Sequence, residues 1–405
     1  GKATVIAWIW ARTVPSPDPA FSDVRVPIAS SFLLSSKKGK EVWIEPIVEK
    51  SKKEISYRIR HAGAKDELAA AKKGTKSTRG ANFRCVISGT AITADHITNA
   101  AKNGSLGQTL IAIAAKGPRG RVYLAPQKEH EGIALQAEPA WKPEQKQPKN
   151  PRWFSPPSYG METFGDLFTE RQLVALNELC DLMKDARIRI HEDAVNSGRL
   201  SDRTPLRDGG EGGAAYADAV SVYLALTVSK LTDLANAFCN WEPTAQCPKH
   251  MFGRHAIPMV WDFAEGNIFS SSSGSYQVVL DGIHKAFQKN TFDYSGEHAE
   301  ISQCDAATFG EVGKKYVIST DPPYYDNIGY ADLADFFYLW LRRSLQDVFP
   351  ETFSFLAVPK SEELVATPYR HGGKSEAESF FLDGMRGAIR RMVEKDGGFG
   401  PQAIF

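Results

Sequence analysis

Residues 316–345 have the sequence YVISTDPPYYDNIGYADLADFFYLWLRRSL, and this stretch decides the predicted fold. The apolar run at residues 316–318 predicts a short buried strand that leads into Asp321-Pro322-Pro323-Tyr324. After this tetrapeptide, apolar residues recur at the spacing of one helix face: Leu333, Phe336, Phe337, Trp340, Leu341 and Leu345. A strand that passes through such a loop into a helix is typical of the ligand-binding edge of an α/β sheet. The stretch therefore predicts an α/β fold with a functional loop at residues 321–324.

The four residues of this motif can together hold an amino group that is attached to an aromatic ring. Such a nitrogen is a poor nucleophile, because its lone pair is delocalised into the ring. The Asp321 carboxylate and the Pro322 carbonyl offer acceptors for its two hydrogens, while Pro323 stiffens the backbone and removes a competing donor. Tyr324 offers a flat face to an unstacked nucleobase, a contact worth roughly 1–3 kcal/mol, against a flipping cost of a few kcal/mol. The motif predicts methyl transfer to a nucleobase amino group; the alternative is a rigid Pro-Pro turn without a chemical role.

The motif and its flanks resemble motif IV of the amino-group DNA methyltransferases. The string DPPYYDNIGYADLADFFYLWLRRSL resembles the large bacterial and archaeal DNA methyltransferases that carry the family-1156 domain of unknown function. Four further segments share this resemblance: ATVIAWIWARTVP, FGDLFTERQLVAL, HAIPMVWDFAE and PYRHGGKSEAESFF. It implies a partial Rossmann-like sheet, S-adenosylmethionine as cofactor and DNA as substrate. Enzymes whose motif begins with Asp usually act on adenine, so the resemblance also implies the adenine amino group.

The same resemblance assigns a cofactor contact upstream of the motif. Residues 301–306 predict a short strand and turn, and Asp305-Ala306 resembles the acidic-Ala pair whose carboxylate meets the adenine amino group of S-adenosylmethionine. The alternative for Asp305 is the cap of a turn. The family's glycine-rich cofactor loop is absent from these residues, and both ends of the sequence are apolar. We therefore expect a fragment that binds the cofactor weakly by itself.

Composition and charge limit the class of protein. The 405 residues allow two or three domains, and 42% apolar with 24% charged residues is ordinary for a globular chain. Residues 1–126 hold 21 Lys and Arg against 9 Asp and Glu, a net charge of +12. This charge favours binding to a nucleic-acid phosphate backbone; the alternative is a solvated lysine-rich surface. No apolar run suggests a membrane span, and five dispersed cysteines fit a reducing cytoplasm.

The pattern along the chain predicts four segments. They are a basic β-rich module at 1–126, a Pro-rich linker at 127–160, a helical insert at 161–270 and a methyltransferase catalytic half at 271–405. The resembled family has a zinc ribbon in the first segment, and its four cysteine positions align with Ser16, Phe21, Cys85 and Ser88. Because tetrahedral zinc needs four Cys or His ligands, we predict a degenerate ribbon without structural zinc.

Local patterns predict the individual elements. Strands are expected at 42–47, 55–59 and 122–124, and helices at 170–187, 214–238, 277–287 and 375–395. Two capping-box patterns, at Thr169 and Ser375, mark the starts of the first and the last of these helices.

Each of three weaker candidate binding sites has two interpretations. The glycine cluster at 208–220 would cradle phosphate or cofactor, or lead flexibly into a helix. Asp262 would contact a ribose or base, or cap a helix. Arg370 and Lys374 would hold a phosphate, or lie in a solvated turn.

Two rival functions also stay open at this point. Related motifs that begin with Asn act on RNA or on a protein glutamine amide. The lost cysteines and the absent glycine loop also suit a catalytically inactive DNA-binding or assembly subunit, for example in a phage-defence system with partner proteins.

Overall fold

The computed structural model describes residues 3–289, 301–326, 328–398 and 403–404. These residues form a mixed α/β fold that divides into two compact units. The first unit comprises Gly1–Lys289 with Leu339–Ser354, and the second comprises Asn290–Tyr338 with Phe355–Phe405.

The strands are β1 (Val5–Pro15), β2 (Arg25–Ile28), β3 (Leu33–Ser35), β4 (Val42–Glu49), β5 (Glu54–His61), β6 (Phe83–Arg84), β7 (Ala91–Ile92), β8 (Gly107–Gly117), β9 (Gly120–Leu124), β10 (Trp241–Glu242), β11 (Cys247–Pro248), β12 (Asp262–Gly266), β13 (Ser319–Thr320) and β14 (Ala403–Ile404). The α-helices are α1 (Lys65–Lys73), α2 (Ala94–Lys102), α3 (Lys128–Ala134), α4 (Glu170–Asn196), α5 (Gly213–Thr232), α6 (Tyr276–Lys289), α7 (Tyr330–Leu345), α8 (Pro368–His371) and α9 (Lys374–Lys395).

The main sheet of the first unit is antiparallel and is built around β1. Its strand order is β12-β1-β8-β9, and β2 pairs with the second half of β1. Strand β1 has a mostly apolar sequence, VIAWIWARTVP, and most of its side chains are buried. This composition suits a strand in the centre of a sheet. Strand β12 pairs with it through Trp10 and Phe263, so a segment from the predicted helical insert completes the sheet of the basic module.

Short-range predictions in the first unit are confirmed. Strands β4, β5 and β9 occupy the three predicted segments. Helix α4 begins with the predicted capping box, in which the Thr169 hydroxyl accepts from the Gln172 amide and the Gln172 side chain accepts from the Thr169 amide. The helix runs to Asn196, beyond the predicted end, and the predicted helices α5 and α6 are also present.

The Pro-rich segment at 127–160 is packed into the first unit. It begins with the short helix α3, and Trp153 and Phe154 are both buried. The Gln147 side chain donates to the carbonyl oxygens of Met161 and Thr163 at 2.9 and 2.8 Å. Prolines keep the chain extended, but these contacts fix it in place.

The second unit contains residues 330–338 of helix α7 together with α8 and α9, and it differs from prediction in two places. Residues 301–305 carry no strand, so the strand expected there is wrong. Helix α9 starts at Lys374 with Gly373 as its N-cap and no side-chain cap, so the capping box at Ser375 is also wrong. Ala388 and Met392 of α9 pack in a cluster with Ile318, whereas Ile389 is 47% exposed.

The described strands contain one parallel pair. Strand β13 runs parallel to β14 through Ser319 with Ala403 and Thr320 with Ile404. All the other pairs of described strands are antiparallel. The described residues therefore give no evidence for the parallel Rossmann-like sheet that the resemblance implies, since this two-residue pair is all the parallel pairing between their strands.

Candidate functional site

The motif lies in a loop between β13 and α7, so the predicted order of strand, loop and helix is confirmed. The strand is displaced from the predicted position: it comprises Ser319–Thr320, while Val317 is 70% exposed and Ile318 is buried. Residues 321–324 follow without regular structure. Tyr325 has a φ of 50°, a left-handed conformation that is unusual for a tyrosine, and turns the chain before α7.

A cleft of about 1080 Å³ opens beside the motif within the second unit. Its lining includes all four motif residues together with Asp305 and Ala306. The structure therefore brings the predicted cofactor contact and the predicted amino-group clamp to one cleft. The other lining residues are Gln303, Cys304, Tyr325, Ile328, Tyr330, Phe355, Pro359, Ser361, Glu362, Glu363, Leu364 and Val365.

Asp321 and Tyr324 are directly linked at the mouth of this cleft. The Tyr324 hydroxyl donates to Oδ1 of Asp321 at 2.9 Å, and this bond together with the Asp321 charge raises the pKa of Tyr324. Tyr324 is 60% exposed, so much of its ring is open to a ligand. In the part of the chain that the structure describes, Asp321 forms no ion pair.

The cleft is acidic. Its described lining contains the four carboxylates of Asp305, Asp321, Glu362 and Glu363, and neither Lys nor Arg. Like charges that line a concave surface reinforce one another and attract ligands of opposite sign. The cleft therefore favours a cationic ligand, or neutral donors such as amino groups, over a phosphate.

A buried ion network supports one wall of the cleft. The Arg370 guanidinium lies 2.7 Å from Oδ2 of Asp332 and 2.6 Å from Oε2 of Glu363. Tyr369 donates its hydroxyl to Asp332, and the amide of Ala331 donates to Glu363 at 2.8 Å. Burial and the bond to Asp332 raise the pKa of Tyr369. Burial alone would lower the pKa of Arg370, but its two carboxylate partners outweigh this and raise it.

This network corrects the phosphate hypothesis for residues 369–374. Residues 368–371 form helix α8, and the Arg370 side chain is only 9% exposed and committed to two carboxylates. Arg370 is therefore neither a phosphate ligand nor part of a solvated turn. Its contacts join the start of α7 to the segment that carries Glu363.

A second buried carboxylate of α7 holds the same wall. Asp335 accepts the amide of Val358 at 2.8 Å and pairs with Lys360 at 2.7 Å. Burial raises the pKa of Asp335. The amide of Ala366 donates to the carbonyl of Tyr325 at 2.9 Å, which ties the wall to the residue that follows the motif. The motif loop and the facing segment at 358–366 are thus fixed by shared hydrogen bonds.

Asp262 has a structural role in the first unit instead of either of its two predicted roles. It is the first residue of β12, so it does not cap a helix, and its Oδ1 accepts the Ser30 amide at 2.5 Å. Burial raises the pKa of Asp262 to about 6, although hydrogen bonds from Ser30 and Ser31 and the charge of Lys76 oppose the shift.

This shift predicts a pH-dependent stability. Because the folded state holds the Asp262 proton more tightly than the unfolded chain does, the contribution of Asp262 to stability falls as the pH rises from about 4 to about 6. Asp262→Asn keeps an acceptor for Ser30 and removes this effect. We expect the free energy of unfolding of the variant, relative to the natural protein, to rise by about 1–3 kcal/mol between these pH values. Urea unfolding at each pH measures it; a parallel pH dependence of the two proteins would contradict the assignment.

The glycine cluster at 208–220 forms a helix lead-in. A Cβ on Gly210 would lie 2.0 Å from the Thr204 carbonyl oxygen, and one on Gly212 would lie 2.7 Å from Cβ of Asp202. The glycines therefore allow the loop to pack against its own preceding turn. Asp218 of α5 accepts the Leu206 amide at 3.0 Å, which further fixes the loop. These contacts favour the lead-in over a phosphate cradle.

Three of the four positions aligned with zinc-ribbon cysteines lie together. Ser16 Oγ is 3.3 Å from Sγ of the buried Cys85, and Ser88 also bonds to this sulfur. Burial raises the pKa of the Cys85 thiol, but the hydrogen bonds from Ser16, Ser88 and the Ile87 amide outweigh it and lower the pKa. Phe21 packs against the same apolar cluster. Hydroxyl groups and apolar packing thus hold this turn.

Comparisons with known proteins do not assign the chain to a family. No protein-family model, curated protein or solved structure matches the chain. Among the residues that the structure describes, no group of three or more His, Cys, Asp or Glu side chains is arranged to hold a metal ion. None of the helices in the described part is long and apolar enough to cross a membrane.

Proposed function

We propose that the protein is an S-adenosylmethionine-dependent DNA methyltransferase that acts on the exocyclic amino group of adenine in a flipped base. The observation that carries this proposal is the shared cleft of Asp305 and residues 321–324, with Asp321 and Tyr324 joined at its mouth. The partial Rossmann-like sheet belongs to the same proposal and rests on the sequence resemblance; the short parallel pair of β13, which precedes the motif, and β14, which follows it, is compatible with that sheet.

The cleft suits the cofactor. S-adenosylmethionine, when bound, supplies a methyl group on a positively charged sulfur. Three of the lining carboxylates, those of Asp305, Asp321 and Glu362, form no ion pair with another described residue and favour such a cation. Asp305 caps the turn at 306–308, because its Oδ1 accepts the Ala307 amide at 2.8 Å. Its carboxylate would also have to accept a hydrogen bond from the amino group of the cofactor's adenine. The volume of about 1080 Å³ lies at the upper end of ligand clefts, which leaves space for a nucleobase as well.

The motif residues would prepare the acceptor amino group. Its two hydrogens would bond to the Asp321 carboxylate and the Pro322 carbonyl, which would bias the nitrogen towards a tetrahedral nucleophile. As its bond to the methyl carbon formed in line, the methyl–sulfur bond would break, S-adenosylhomocysteine would leave, and the surplus proton on the nitrogen would pass to water. In the free protein the Tyr324 hydroxyl donates to Oδ1 of Asp321. The incoming amino group would therefore displace this hydroxyl or donate to the same carboxylate beside it. The Tyr324 ring then stacks on the extruded base.

The product identifies the reaction. The natural gene product that carries this sequence is incubated with methyl-labelled S-adenosylmethionine and unmethylated DNA, and the nucleosides are separated by mass spectrometry. We expect label on N6 of deoxyadenosine. Label only on RNA or protein would move the proposal to those substrates, and DNA binding without any methyl transfer would favour the catalytically inactive subunit.

Two substitutions of Tyr324 separate its ring from its hydroxyl. Tyr324→Ala removes the stacking face, and we expect kcat/KM to fall by about 5- to 150-fold, the equivalent of 1–3 kcal/mol. Tyr324→Phe keeps the face and releases Oδ1 of Asp321, so it retains most of the activity. Steady-state methylation of DNA measures both variants. Equal losses in the two would assign the role to the hydroxyl and exclude stacking.

A further inference from the structure

A basic groove lies in the first unit, at a site that the proposed chemistry does not use. It has a volume of about 640 Å³. Its floor includes Ile44, Pro46 and Val48, which alternate along β4 and therefore share one face of the strand. Its rim carries Lys73, Lys76 and Arg84. An apolar floor with a cationic rim suits a ligand that combines anionic groups with less polar ones.

The backbone that carries these three cations is ordered. Lys73 ends α1, and Gly74 follows with a φ of 58° and a Cβ position only 2.4 Å from the Ala29 carbonyl oxygen, so glycine is required at this turn. The next residue, Thr75, bonds to Ala29 through both its amide and its hydroxyl, and the Arg84 amide donates to the Thr75 carbonyl at 2.8 Å. The rim is therefore built on ordered backbone.

The charge of the groove is uncompensated within its described lining. The lining contains no Asp or Glu, and none of the three rim cations forms an ion pair with another described residue. Their surroundings are also basic, since residues 1–126 carry a net charge of +12. Unpaired cations around a groove release counterions from a phosphate backbone when it binds.

We propose that this groove holds the phosphate backbone of duplex DNA. Its two aromatic lining residues, Phe32 and Trp43, are only 5% and 8% exposed, so they offer no face on which unpaired bases could stack. Single-strand binding relies on such faces, whereas duplex backbone contacts need cations and amides. The inference concerns a site separate from the cleft and does not depend on methyl transfer.

Salt-dependent binding tests the groove. Fluorescence anisotropy of a short labelled duplex of mixed sequence is measured over a series of KCl concentrations, with the natural protein and with a triple variant, Lys73→Gln, Lys76→Gln and Arg84→Gln. Because each phosphate contact contributes about 0.9 to the slope of log K against log salt, the variant is expected to bind with a slope shallower by about 2 to 3.

A matched control removes the same charge elsewhere. Lys37, Lys38 and Lys40 are exposed residues outside the groove, and their replacement by Gln is expected to change the slope by less than 1. Equal slopes in the two triple variants, tighter binding of single strands than of the duplex, or no duplex binding by the natural protein would each overturn the proposal. The readout is duplex binding and not methyl transfer, so failure of the groove and failure of the methyltransferase proposal are distinguishable.

Discussion

Asp321→Ala is expected to lower kcat/KM for DNA methylation by about 10²- to 10³-fold. This is the effect of removing one preorganised hydrogen-bonding group at a reacting centre, equivalent to about 3–4 kcal/mol of transition-state stabilisation. The fold should persist, because Asp321 is exposed and its described contact is the hydroxyl of Tyr324. The loss should therefore be divided between DNA binding and the chemical step, with melting temperature and cofactor affinity little changed.

The matched control for this variant is Asp383→Ala. Asp383 is an exposed carboxylate of the second unit that pairs with Arg386 on the surface of α9, outside the cleft. Its removal is expected to leave kcat/KM within about twofold, because exposed pairs contribute about 0–1 kcal/mol to stability and nothing to the cleft. Single-turnover methylation with all three proteins measures the difference. If Asp321→Ala and Asp383→Ala methylate DNA at the natural rate, the amino-group clamp is wrong.

Arg370→Ala is expected to destabilise the second unit by about 3–5 kcal/mol. The substitution leaves Asp332, which is 1% exposed, as a buried carboxylate without its cation. Glu363 loses the same partner, and the wall of the cleft loses its link to the start of α7. Arg370→Lys should recover only part of the loss, because one ammonium cannot reproduce the planar contacts to two carboxylates.

Hydrogen exchange provides the local readout. The amide of Ala331 donates to Glu363 and that of Ala366 donates to the Tyr325 carbonyl, so both should exchange faster in Arg370→Ala. Arg386→Ala is the control, since it removes an arginine whose side chain is 59% exposed and should cost less than about 1 kcal/mol. Unchanged exchange at Ala331 and Ala366 in Arg370→Ala would show that the network does not support the wall.

Features with a local signal were predictable from the sequence. The capping box at Thr169 and the apolar stripe of α7 are determined by residues a few positions apart, and both elements form where expected. The order of strand, motif and helix was accessible for the same reason.

Features that depend on distant pairing were not predictable. Strand β12 joins β1 across more than two hundred positions, and nothing in either segment specifies the partner or its direction. The network around Arg370 was also missed, although a signal existed. Asp332 and Asp335 lie three positions apart on an otherwise apolar helix, where buried carboxylates require partners. Arg370, Lys360 and Glu363 complete that network only in three dimensions.

The contact between Asp321 and the acceptor amino group is tested most directly by a binding cycle. Methylated sites mapped in the product assay define a duplex whose target adenine can be replaced by purine, which lacks the amino group. We predict that the natural protein binds the purine duplex roughly 10- to 150-fold more weakly, the cost of about 1.5–3 kcal/mol for a lost hydrogen bond to a charged group, and that Asp321→Ala binds the two duplexes equally. Equal binding of both duplexes by the natural protein, or an undiminished preference for adenine in Asp321→Ala, would contradict the account.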